Sequence, residues 1–120
     1  MTAKFIRPIA FWLEQIVYWG DRLSDHCKKY NEARFTDDRK TIDASCWCIS
    51  CVGEAAGRIL QLDADFEQRH PGFELTAAYA ARNRLSHGYY QLDDIQIWDT
   101  ASTSVPKLTE AARRPLASGH

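Results

Sequence analysis

The sequence predicts an all-α bundle of four or five helices. Three observations carry that expectation. Apolar residues recur every three or four positions through most of the chain, no window alternates with period two, and Pro71-Gly72 and Gly88 punctuate the periodic stretches. At 120 residues, with 45% hydrophobic and 26% charged residues, the chain has the composition of one soluble globular domain. The expected unit is a single domain over residues 1–120, with 113–120 a flexible tail.

The first helix is written in the stripe Ile6, Ile9, Leu13, Ile16, Gly20, Leu23, Cys27 and Tyr30. Pro8 belongs to its first turn, where a missing N–H costs nothing. The polar run from Asn31 to Asp38 ends it, and Thr36 or Asp37 can cap the next helix. A second stripe follows at Ile42, Cys46, Ile49, Val52, Ala56, Ile59 and Leu60. It is interrupted by small residues, Gly53, Ala55, Ala56 and Gly57, that allow a neighbouring helix to come close. Residues 65–70 suit a short helical turn before the break at Pro71-Gly72. A third long helix runs from Glu74 to His87 and stops at Gly88. The last begins near Asp93 and turns Ile95, Trp98, Val105 and Leu108 to the core. Pro106 must kink or restart it.

Charge and targeting narrow the function classes. The formal net charge is −1, so no global basic field marks a nucleic-acid binder, and any contact with RNA must be local. Arg7, Pro8 and Glu14 break up the only N-terminal apolar stretch, and no segment is long enough to span a bilayer. The chain therefore reads as cytoplasmic, with no membrane partner, and its four cysteines as reduced thiols.

Chemistry concentrates in one place. Arg82, Asn83, Ser86, His87 and Tyr89 fall together at the end of the third long helix. An arginine offers a fixed fork of donors to phosphate oxygens, and a histidine moves protons near neutral pH. Together they suit RNA cleavage by the strand's own 2′-hydroxyl, with no metal or other cofactor required. On an ideal helix, however, five residues turn the direction by about 140°, so one copy cannot aim both side chains at one point. One histidine also cannot easily act as base and acid at once. A symmetric dimer would supply two of each. The alternative from spacing alone is a surface arginine beside a helix-capping histidine.

The segment resembles the Arg-x-x-x-x-His-x-Tyr signature of HEPN proteins, with Arg82, His87 and Tyr89 at the signature positions. It is most similar to the HepT family, through Arg82, Asn83, Leu85, His87, Gly88 and Tyr89. Asp38-Arg39-Lys40-Thr41, Val52-Gly53-Glu54-Ala55-Ala56, Arg69-His70-Pro71 and the stretch from Asp93 to Trp98 agree in order and spacing. The resemblance implies a HEPN-type bundle forming a symmetric homodimer. It implies an endoribonuclease toxin of a type VII-like toxin–antitoxin pair, with Arg82 and His87 catalytic and Asn83 supporting. It further implies an MntA-type nucleotidyltransferase antitoxin that transfers AMP to Tyr89. An anionic adenylate there would occupy the place meant for RNA phosphate. The rival reading is a non-catalytic, nucleotide- or substrate-binding subunit of such a nucleotidyltransferase. The chain departs from many relatives in Ala80-Ala81 before the arginine, and in Tyr90, a second hydroxyl beside Tyr89.

Other residues have plainer readings. Cys46, Cys48 and Cys51 crowd one helix, but they lack a fourth ligand at finger-like spacing and are expected to pack as small apolar groups. Trp12, Trp19, Trp47 and Trp98 are expected in the core or at a dimer interface. Glu54, the one acid among the small residues, is placed to pair with Arg58 or Arg82.

Overall fold

The computed structural model describes residues 6–88 and 93–114, and every regular element in them is helical. In chain order these are α1 (Ile9–Cys27), α2 (Glu32–Thr36), α3 (Arg39–Leu62), α4 (Phe66–Arg69) and α5 (Leu75–Gly88). A rod then follows, made of α6 (Asp94–Asp99), a π-helical turn (Thr100–Ser104) and α7 (Val105–Arg113). The helix α3 is the axis of the bundle: α1 and α5 both lie along it, and α7 closes onto α1. No described helix is long and apolar enough to cross a membrane.

The periodic stripes become the core. Leu13, Ile16 and Leu23 of α1 meet Ile42, Ile49, Val52, Ala56 and Ile59 of α3 in one buried cluster. Phe66 and Phe73 seal the bottom edge-to-face, with ring centroids 5.2 Å apart. The short α4 falls where residues 65–70 were expected to turn.

Three boundaries differ from expectation. Pro8 is not inside the first turn of α1 but caps it from outside, with its carbonyl accepting from Phe11 N at 3.0 Å. The polar run after α1 is not a plain loop. Asn31 accepts from Arg34 N at 2.9 Å and starts α2, whose one large apolar residue, Phe35, is fully buried against Trp98. Because α2 uses up Thr36, α3 begins later and its cap is Asp38, neither Thr36 nor Asp37. In the last rod Ile97 is buried while Ile95 is half-exposed, so the expected inward role of Ile95 is corrected. The rod's phase is set by Trp98 on Phe35 rather than by Ile95.

Pro106 restarts the rod, as expected: it stands in the first turn of α7, directly after a π turn. An α-helix through Pro106 would lose one ladder bond and crowd the preceding carbonyl. One wider turn, closed by Val105 N donating to Thr100 O, displaces the ladder by a residue ahead of the ring. The rod continues through Arg113, which is ion-paired with Asp21 of α1. The rest of the expected tail, residues 115–120, lies outside the described residues.

The Asp38 cap has a measurable signature. Its carboxylate accepts from Thr41 N at 3.1 Å and from Tyr30 Oη at 2.6 Å. These bonds, the tyrosine's first, hold the acid below its ordinary range. A depressed folded value contributes stability that is present above the unfolded value near 3.8 and lost as pH falls through the folded one. Asp38→Ala is therefore expected to lower the melting temperature at neutral pH, with the gap to wild type closing in acid. A constant gap across that pH range in thermal melts would contradict the assignment.

Candidate active site

One glycine brings the motif helix to its place. The Cα of Gly53 on α3 stands so close to α5 that a Cβ there would lie 2.3 Å from Arg82 Cβ and 2.7 Å from Ala78 O. The small-residue stretch thus does what its composition suggested, and it sets Arg82 directly over α3. The residue after Gly53 meets it there. Glu54 Oε1 lies 3.4 Å from Arg82 Nη2, while its Oε2 accepts from Arg58 Nε at 2.9 Å. Glu54 pairs with both arginines at once, where the sequence offered them as alternatives. On the other side Arg82 Nη1 donates to Asn83 Oδ1 at 3.0 Å. Arg82 is held between two acceptors, with its side chain one-third exposed.

That guanidinium lines an open groove of ≈ 440 Å³ between α1, α3 and α5. Trp12 and Trp19 form one wall, Trp47 another, and Glu54, Arg82 and Ser86 the end. Trp47 is 62% exposed and meets Trp19 edge-to-face at 6.4 Å, and Tyr18, in ring contact with Trp19 at 5.0 Å, is 52% exposed. Arg58 stands 5.7 Å over the Trp12 ring. The tryptophans thus divide. Trp12, Trp19 and Trp98 all pack against the core, but Trp12 and Trp19, with exposed Trp47, also frame a groove with arginines at its rim.

His87 is elsewhere. The helix α5 runs unbroken through Gly88, so the geometric objection raised by the spacing holds: Arg82 faces the groove and exposed His87 is not among its lining residues. Asn83 is in contact with Arg82, as a supporting residue would be. Tyr89 and Tyr90 lie outside the described residues. Arg84, two positions from Arg82, turns to a separate small cavity of ≈ 100 Å³ between α5 and the α6–α7 rod.

The cysteines sit as packing groups. Cys46 and Cys48 are buried, and removal from water pushes each thiol up to about 11. Burial also raises Cys27 and Cys51, of which Cys51 borders the groove. Among the described residues no three His, Cys, Asp or Glu side chains stand together as a metal site.

Comparison with known proteins fits this arrangement. The profile of the ribonuclease HepT-like family matches residues 20–114, which hold α3, α5 and the whole α6–α7 rod. The chain belongs to the HepT-like ribonuclease family. Two proteins of Methanocaldococcus jannaschii that carry provisional RNase names are each 24% identical over 102 residues, 85% of this chain and 85% and 82% of theirs. A probable ribonuclease HepT of Thermococcus cleftensis is 26% identical over 97 residues, 81% of this chain and 86% of its own length. No solved structure matches the chain significantly. The HepT-like match covers all of Arg82, Asn83, His87 and Glu54, and leaves out most of α1 with Trp12 and Trp19.

Sequence reasoning missed the groove. Gln15 and Ser50 line it, yet nothing local to either signals this, because the three helices meet only in the fold. Ser86 stood in the motif cluster already, and Glu54 left a signal as an acid amid glycine and alanine.

Proposed function

We propose that this chain is a toxin-type, metal-independent endoribonuclease that works as a symmetric homodimer. Membership of the HepT-like ribonuclease family, with Arg82 held in an open groove, is the observation that carries this reading. The strand's 2′-oxygen attacks phosphorus, the 5′-oxygen leaves, and a 2′,3′-cyclic phosphate remains. One His87 takes the 2′ proton, the His87 of a second copy protonates the leaving oxygen, and Arg82 neutralises the charge that develops on the phosphoryl oxygens. Asn83 steadies Arg82 from the side.

The geometry of α5 supports the dimer, since a single copy does not turn Arg82 and His87 to one point. Exposed Tyr18 and Trp47, with half-buried Trp19 in ring contact with both, have the composition of an interface centre. Control comes from a nucleotidyltransferase antitoxin of the MntA type. It passes the α-phosphoryl of ATP, as AMP, to the Tyr89 oxygen and releases pyrophosphate. The anion so formed competes with RNA phosphate for Arg82.

Purified protein incubated with RNA in excess chelator is expected to give fragments ending in 2′,3′-cyclic phosphate. Coexpression with the antitoxin should raise its intact mass by whole AMP units and silence it, and Tyr89→Phe should abolish the gain. Protein that binds nucleotides but leaves RNA whole would instead be the nucleotide-binding subunit of the transferase.

A further inference from the structure

Glu54 has two partners, and only one of them is in the motif. Arg58, one turn along α3, takes Glu54 Oε2 at 2.9 Å, and Arg82, from α5, takes Oε1 at 3.4 Å. The triad carries one net positive charge, and Gly53 beside it fixes how near the two helices lie. We propose that Glu54 is the positioning residue of the site: it holds the Arg82 guanidinium toward the groove, and Arg58 keeps Glu54 neutralised when a phosphate takes Arg82. A guanidinium has five N–H donors, so the one donated to Asn83 leaves four to divide between the Glu54 ion pair and a phosphate. Without Arg58, the same carboxylate would compete with the phosphate for Arg82 instead of merely steadying it. The two flanking residues therefore act in opposite senses. Loss of Glu54 frees Arg82 to wander, and loss of Arg58 ties it down.

The kinetic part of this rests on the ribonuclease reading; the geometric part does not. Both are read on the same full-length variants. In nitrogen-15 spectra the Arg82 side-chain N–H signal of the wild type is expected apart from the free-arginine position, and Glu54→Gln should collapse it there. On RNA, Glu54→Gln should lower kcat by ~10- to 100-fold with KM nearly unchanged, as misorientation of a group used in the transition state does. Arg58→Gln should do the reverse, raising KM several-fold at similar kcat. An Arg82 signal indifferent to Glu54→Gln overturns the clamp whatever happens to RNA, as does a loss confined to KM in that variant. A wild type that leaves RNA intact while its Arg82 signal responds to Glu54→Gln sinks the ribonuclease reading and supports the clamp.

Discussion

Wild-type subunits mixed with His87→Ala subunits are expected to lose ribonuclease activity faster than in proportion. If two histidines, one from each copy, serve one cleft, only wild-type pairs cut. After random exchange of an equal mixture about a quarter of the activity then remains, against about half if each subunit acts alone. The pure His87→Ala protein should fall by ~10²- to 10⁴-fold, the usual worth of a positioned acid or base. Arg82→Ala should fall by ~10²- to 10³-fold, as expected for a donor to developing charge. His87 is exposed and Arg82 one-third exposed, so neither change should unfold the chain, and circular dichroism should be unaltered. A linear mixing curve would sink the shared cleft while leaving an enzyme. Undiminished cleavage by His87→Ala would remove the histidine from the chemistry altogether.

The sequence carried the parts of this protein that are periodic or local. The stripe from Leu13 to Cys27 names the buried face of α1 residue for residue, because burial on one side of a helix has to repeat at 3.6. That from Ile42 to Ile59 marks the centre of a wider buried face on α3, which also takes in Ser45 and Cys48. The motif itself was legible as chemistry, since five reactive or polar types stand in eight residues of one helix end. What was illegible is what depends on contact between distant segments. The five residues of α2 are too few to show a period, so the stretch reads as a polar run, and the burial of Phe35 under Trp98 has no local sign. Ile95 and Ile97 differ only in phase, and the phase of a six-residue helix is set by its neighbours. Trp12, Trp47 and Arg82 belong to three helices, and no spacing joins them into a groove. Glu54 lay between these cases. Its pairing with Arg58 is an ordinary one-turn contact, but its hold on Arg82 requires knowing which face of α5 lies on α3.

That closeness of α5 to α3 can be broken by a single methyl group. Gly53→Ala would set a Cβ 2.3 Å from Arg82 Cβ and 2.7 Å from Ala78 O, both parts of the α5 scaffold that cannot swing aside. The helix must back away. Alanine gains up to ~1 kcal/mol over glycine in a helix, but overpacking a rigid contact costs ~1–3 kcal/mol, and a contact this short belongs at the upper end. A net loss of ~1–2 kcal/mol and a melting temperature lower by several degrees are expected. Activity should suffer beyond that, because retreat of α5 draws Arg82 from Glu54. Gly57→Ala supplies the contrast. Its Cβ would meet Tyr79 ring atoms at 2.5 and 2.6 Å, yet that ring is the end of a side chain at the surface and can rotate away. There the gain in helix propensity should prevail, leaving stability equal or slightly raised and cleavage intact. Equal losses at the two glycines, in melts and in cleavage, would mean that general crowding of α5 is at work. A loss at Gly53 alone, larger in kcat than in stability, would tie the function of Arg82 to the close approach of α3 and α5 at Gly53.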